Sequence, residues 1–312
     1  MTRTPEALAL GSAIEGRWEI TRPIEAGGMG SLYEVVHRGT GKRAALKVMK
    51  RELVGSLEMR QRFRQETMVT ASIESDYIVG VFDGGTDSAS GLPYLVMELL
   101  RGRDLASELD ARGRLTPGEA LVYLRQVALG LEKAHAEGVI HRDLKPENLF
   151  LTQREDGSPN VKIVDFGIAK IVAESMSAAE TTRALGTPVY MAPEQVRGDK
   201  TIHTRADLYA LGHVAFTLLV GAAYWASEQA RADNVYPLLL AITGGAKVPA
   251  SIRATERGVS LAPGFDAWFQ KATALEPSAR FEDAPSMIAA LGDVLAADER
   301  APETERGEPV EF

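Results

Sequence analysis

Asp143 and Asn148 stand five positions apart with Lys145 between them, inside the row Val139-Ile140-His141-Arg142-Asp143-Leu144-Lys145-Pro146-Glu147-Asn148-Leu149-Phe150. One short loop thus holds a carboxylate, a carboxamide and an ammonium group. Those groups suit phosphoryl transfer, in which a protein has little covalent work to do and must instead orient a hydroxyl, hold phosphates in line and neutralise charge. Asp143 can accept the hydroxyl proton, Asn148 can ligate a metal, and Lys145 can meet the moving phosphate. A single Asp or Asn in a loop is usually a turn former. Eight specified residues in an unbroken row go beyond what turn formation requires.

The elements that would position this loop are legible on both sides of it. Trp18 to Ile24 alternates like a half-buried strand, Glu25-Ala26-Gly27-Gly28-Met29-Gly30 follows, and Leu32 to Val36 forms a second strand. A strand, glycine turn and strand can be a plain hairpin. It can also be a flap whose backbone N–H groups approach phosphates because no side chain intervenes. After a turn at Gly39-Thr40-Gly41-Lys42, the strand Arg43 to Met49 carries Lys47 inside an apolar run. A lysine there is either an edge charge or an anchor for nucleotide phosphates.

A helix is expected from about Ser56 to Ile73, with Met59, Phe63, Thr67 and Thr70 near one face and Glu66 beside that stripe. Ile78–Phe82 and Tyr94–Glu98 complete five strands. Thr116-Pro117-Gly118-Glu119 is a capping box with proline at the first helical position. Leu121, Leu124, Ala128, Leu131 and His135 then follow as a core stripe ending near Gly138. Leu149–Leu151 and Val161–Val164 flank a turn at Asp156-Gly157, and Asp165-Phe166-Gly167 comes directly after. Residues 171–184 are small, polar and rich in hydroxyls, including Ser175, Ser177, Thr181 and Thr182. Asp207 opens a helix that is apolar nearly all round, so the helix should be buried and its carboxylate should need partners.

The totals set outer bounds. The 312 residues suit one large domain or two lobes sharing a cleft. Hydrophobic residues at 45% and charged residues at 25% are ordinary globular usage. A net charge of −8 argues against nucleic acid as a partner and weakly favours substrates with basic flanks. Without cysteine there are no disulfides or thiolate metal sites, which fits a cytoplasmic location. Residues 1–10 lack a leader pattern, and the apolar stretch 208–220 is too short and too interrupted to span a membrane.

Taken in order, these motifs resemble the catalytic domain of protein kinases over about Trp18 to Leu295. The Gly-Gly-Met-Gly flap and the Gly186-Thr187-Pro188-Val189-Tyr190-Met191-Ala192-Pro193-Glu194-Gln195 run are most similar to the bacterial, Hanks-type Ser/Thr branch. The resemblance implies an α+β bilobal fold: a small antiparallel five-stranded N-lobe with one main helix, and a larger, mainly helical C-lobe. Its divisions would be a flexible lead over 1–16, the N-lobe over 17–98, the C-lobe over 99–298 and a disordered tail over 299–312.

It implies Asp143 as base and a Lys47–Glu66 pair, with Lys145 and Thr187 completing the catalytic set. Asn148 and Asp165 would hold Mg²⁺, with Mn²⁺ as a substitute. Nucleotide would lie among Ile24, Gly27, Gly28, Gly30, Leu32, Ala45 and Phe150. Met97 would guard the back of the pocket, Glu98 and Leu100 would offer hinge backbone to adenine, and Asp104 would serve the ribose. Asp207 would accept N–H groups from the catalytic loop, and Glu194 would pair with Arg280. Arg142, a fixed cation beside the base, would receive a phosphate placed on Thr181 or Thr182, with Ser175 and Ser177 as lesser candidates. The implied activity is transfer of the ATP γ-phosphate to protein Ser/Thr hydroxyls, with a homodimer serving trans-autophosphorylation.

Two alternatives stand beside it. Glu25 occupies a position where the family has glycine, which leaves a pseudokinase scaffold in view. A small-molecule phosphotransferase would share the acid-to-asparagine spacing but lack the long segment closed by Ala192-Pro193-Glu194. Residues 221–264 match the family poorly, and their helices are not placed by sequence.

Overall fold

The computed structural model describes residues 8–27, 30–50, 57–166, 188–231 and 234–300. Strands β1 (Ala13–Ile14), β2 (Trp18–Ala26), β3 (Gly30–His37) and β4 (Arg43–Met49) precede helix α1 (Leu57–Ala71), and β5 (Val81–Thr86) and β6 (Pro93–Met97) follow it. They form one antiparallel sheet in the order β1-β2-β3-β4-β6-β5. Among the described residues the sheet therefore has six strands where five were expected. The addition is β1, two residues paired with Trp18 and Glu19 in a stretch read from sequence as a loose lead. Ile14 explains the pairing, because it is buried in one sheet core with Trp18, Ile20, Tyr33, Val35, Leu46 and Val96. A two-residue strand is too short for alternation to reveal.

The strand expected over Ile78–Phe82 begins later, at Val81, and Ile78 instead makes a parallel bridge to Ile163 in the other lobe. Helix α1 buries Phe63, Thr67 and Thr70, as its stripe predicts.

A second, three-stranded sheet is built from β7 (Arg103–Asp104), β8 (Leu149–Gln153) and β9 (Pro159–Ile163). Helix α2 (Leu105–Arg112) was not anticipated from sequence; Asp104 caps it by accepting the Ser107 N–H at 2.8 Å. Helix α3 (Pro117–Ala136) starts on the capping box at Thr116 and Glu119. Then come α4 (Pro193–Arg197), α5 (Arg205–Val220), α6 (Ala226–Arg231), α7 (Tyr236–Thr243), α8 (Ala250–Thr255), α9 (Phe265–Ala272) and α10 (Ala284–Arg300). Helix α5 is buried from Ala206 through Val220. Three short helices, α6 to α8, thus occupy the stretch that sequence left unplaced. The tail beyond Arg300 lies outside the described residues.

Within the helical lobe, His213 of α5 is fully buried among the rings of Tyr209, Tyr224, Trp225 and Phe269, and neither ring nitrogen has a hydrogen-bond partner among the described residues. Burial, helped by the positive charges of Arg253 and Arg280, pushes its imidazole down to about 3 from 6.5. The unfolded chain therefore takes up this proton as pH falls through about 6.5, while the folded chain resists it until near pH 3. Stability is lost over that window by up to about 1.4 kcal/mol per pH unit. Substituting His213→Leu should flatten the acid side of a urea-midpoint profile; an unchanged slope would show that another group governs it.

Candidate active site

The loop between α3 and β8 is held from beneath by one carboxylate. Asp207, in the first turn of α5 and wholly buried, accepts the N–H of His141 at 2.9 Å, the N–H of Arg142 at 2.8 Å and a hydrogen bond from His135 Nε2 at 2.8 Å. Burial works most strongly to raise its pKa, but the His135 hydrogen bond, the charges of His135 and His141 and the Arg142 N–H together prevail and hold it below the usual carboxylate range. His135 was expected only as part of a core stripe. Its position in the last turn of α3 instead brings it onto Asp207, a long-range contact that helical spacing cannot reveal.

Arg142 adopts a left-handed φ of 68°, a conformation that costs on the order of 1–3 kcal/mol outside glycine. It is pinned from both sides, because its carbonyl accepts from Gln195 Nε2 at 2.7 Å while its N–H serves Asp207. Its Nε is buried and has no partner among the described residues.

His141 links this support to the strand that follows. Its Nδ1 accepts the Asp143 N–H at 3.2 Å, so Nε2 carries the proton and donates to the Val164 carbonyl at 2.9 Å. Its ring meets Phe166 edge-on at 4.7 Å. No sequence pattern marked His141 as a hub; only the packing of β9 against the loop does.

Above this base the reactive groups converge. Asn148 Nδ2 donates to the Asp143 carbonyl at 2.7 Å and to Asp143 Oδ2 at 3.1 Å. Lys145 Nζ lies 2.9 Å from Asp143 Oδ2. Lys47 of β4 reaches across the cleft to Asp165 Oδ2 at 2.6 Å. Asp165 also has a left-handed φ, 65°. Burial again works most strongly to raise its pKa, and the charge and hydrogen bond of Lys47, aided by His141 and Lys145, hold it below the ordinary range. The expected Lys47–Glu66 pair involves a side chain outside the described residues. Gly28, Gly167, Thr181, Thr182 and Thr187 also lie outside them.

Because the Asn148 amide nitrogen is committed to Asp143, its Oδ1 is the oxygen that remains to act as a ligand, and it has no donor on it among the described residues. With the ionised Asp165 it makes a pair of hard oxygen donors. That set fits a Mg²⁺ ion, which takes one or two protein oxygens and completes its shell from phosphates and water.

The cleft's roof and hinge are apolar. Ala45, Val79, Leu95 and Met97 form a buried cluster with Leu32, Val81, Leu99, Leu100 and Val164 packed on it. Sequence reading named Leu32, Ala45, Met97 and Leu100, and missed Val79, Leu95 and Val164, which come from three separate segments. Ile24, at the edge of β2, is partly exposed. The hinge N–H of Glu98 is taken by the Gly80 carbonyl at 2.8 Å, and its side chain pairs with Lys162 at 2.8 Å. Among the described residues, the Glu98 carbonyl and the Leu100 N–H have no backbone partner. Asp104 faces Phe150 in the β7–β8 register and already accepts from the Ser107 N–H and hydroxyl.

Gly27 closes the flap turn by donating to the Gly30 carbonyl at 2.8 Å. Gly30 has a second reason to be glycine, since a Cβ there would drive into the Val48 carbonyl of the neighbouring strand.

Two buried ends anchor the far side. Glu194 and Arg280 make a bidentate pair at 2.6 and 2.7 Å, and Arg280 also donates to the carbonyls of Ala274 and Arg205 and lies over the Tyr209 ring.

A strand lobe and a helical lobe closing on a carboxylate, carboxamide and lysine cluster define a protein kinase domain. The protein kinase domain family matches residues 18–264, and the chain belongs to that family. Among its relatives, the serine/threonine-protein kinase Pkn1 of Myxococcus xanthus is 41% identical over 206 residues, a match covering 66% of this chain and 29% of that protein. PknA of Mycobacterium tuberculosis, also a serine/threonine-protein kinase, is 38% identical over 224 residues, covering 71% of this chain and 51% of that protein. The crystal structure of the M. tuberculosis PknI kinase domain superposes with a TM-score of 0.72 at 28% identity, covering 93% of this chain and 100% of that one. The chain thus spans about half or less of the length of these two curated relatives.

Proposed function

We propose that the chain is a Ser/Thr protein kinase that transfers the γ-phosphate of ATP to protein hydroxyls. The observation that carries this reading is the convergence of Asp143, Asn148, Lys145, Lys47 and Asp165 at the mouth of an apolar cleft. Asp143 orients the substrate Ser or Thr hydroxyl and takes its proton as the oxygen attacks the terminal phosphorus and the bond to the β–γ bridging oxygen breaks, releasing ADP. Lys145 stands beside Asp143 to meet the transferring phosphoryl oxygens, and Lys47 holds the phosphates upstream. Asn148 and Asp165 would hold Mg²⁺, or Mn²⁺ in its place, which would neutralise charge on the phosphates. Glu98 and Leu100 offer their open backbone groups to adenine, and Asp104 keeps lone pairs beyond its cap for ribose hydroxyls. Glu66 positions Lys47, and Thr187 shapes the hydroxyl site.

Activation follows from Arg142, whose buried Nε has no partner among the described residues. A phosphate on Thr181 or Thr182, placed by a second copy of the chain, docks there through charge-assisted hydrogen bonds. The partners are protein substrates, with basic flanks favoured by the net charge of −8, and the location is cytoplasmic. Among the described residues no helix is long and apolar enough to cross a membrane.

The test is mass spectrometry after incubation with Mg-ATP, which should find phosphate on Thr181 or Thr182. The Thr181→Ala/Thr182→Ala double variant should lose about tenfold in rate, the worth of one charge-assisted hydrogen bond. Glu25 favours one other reading, a scaffold without turnover; a chain that transfers phosphate from Mg-ATP neither to itself nor to a generic protein substrate would favour it.

A further inference from the structure

Strand β2 changes its facing just before the glycine flap. Pro23 lies opposite Tyr33, yet the next pair is Glu25 with Leu32, so a bulge sets Ile24 and Glu25 together against one residue of β3. A residue directly opposite another in an antiparallel pair shares its face of the sheet. Leu32 packs onto the apolar cleft cluster and lies opposite Lys47, whose ammonium pairs with Asp165. The carboxylate of Glu25 is therefore carried on the cleft face, at the root of the flap. It is exposed and has no hydrogen-bond or ion-pair partner among the described residues.

We propose that Glu25 is a specificity-determining residue that weakens capture of a nucleotide in proportion to the nucleotide's negative charge. The inference rests on the kinase reading of the cleft. A carboxylate on that face repels a triphosphate, and the repulsion doubles between the metal-loaded form, with two net charges, and the metal-free form, with four. Adenosine, which is uncharged, escapes it. The residue thus biases the cleft toward metal-loaded nucleotide without touching the chemistry at Asp143.

The experiment is calorimetric titration of the full chain and of Glu25→Gln with adenosine, Mg-ATP and metal-free ATP. Gln keeps the size and removes the charge. The expected result is tighter binding to Glu25→Gln by about threefold for Mg-ATP and about tenfold for metal-free ATP, with adenosine unchanged. Raising the salt concentration should shrink both gains, since exposed charges are screened. Equal shifts for all three ligands, or no shift for any, would overturn the proposal while leaving the kinase reading intact. Failure of the parent chain to bind even adenosine would overturn both.

Discussion

Asp143→Asn should leave Mg-ATP binding within about twofold of the parent and lower the turnover rate by about 10² to 10⁴, the range for loss of a positioned general base. The substitution preserves shape, so Asn148 and Lys145 keep a neighbour of the same size. What disappears is the ability to accept the hydroxyl proton as the oxygen attacks. Among the described residues the carboxylate also accepts from Asn148 and Lys145, which the oxygen of an Asn side chain can still meet, and the loop itself is held by its backbone, through Asp207 and His141. Single-turnover phosphate transfer with labelled ATP separates this loss from any change in binding. Transfer at the parental rate would remove Asp143 from the chemistry.

The second large effect concerns stability. Glu194→Gln should destabilise the chain by about 3–5 kcal/mol, read as a fall in the urea midpoint, because it leaves the buried Arg280 guanidinium without its counter-charge. Both side chains are nearly inaccessible, at 4% and 3% exposure. Removing one charge from so dry a pair exposes the full desolvation penalty of the other. Replacing both, as Glu194→Gln with Arg280→Met, should recover much of the loss. If the single variant unfolded at the parental midpoint, the pair would not bear on stability.

How much of this was legible beforehand depended on whether a feature is local. Continuous runs carried their own meaning: the Asp143 to Asn148 row, the capping box at Thr116 and the all-round apolar α5 each specify an element from neighbouring residues. The two-lobed fold followed from the order of those runs. The six-stranded sheet did not, since β1 exists only because Ile14 finds a core assembled from four other strands. Helix α2 was hidden for a related reason, as Asp104 was read for a ligand and not for its cap on Ser107.

In the site, the loop residues were identifiable, but the hub residues His135 and His141 were not. Their partners, Asp207 and Val164, lie 72 and 23 positions away. Lys47 shows the same limit. Its place in an apolar strand signalled a purpose, but the contact found is to Asp165, 118 residues on. Residues 221–264 resisted reading because α6 to α8 are six to eight residues long, too short for helical periodicity to stand out.

The central claim is that Asp165 and Asn148 jointly hold the metal that accompanies ATP in the cleft. A crystal structure of the chain with Mg²⁺ and a non-hydrolysable ATP analogue tests it most directly. The account predicts one octahedral ion with Asp165 and the Asn148 Oδ1 each about 2.0–2.1 Å from it, bridging to the phosphates beneath Lys47. A nucleotide whose metal is ligated by neither side chain, with Asp165 and Asn148 turned away from the phosphates, would contradict it.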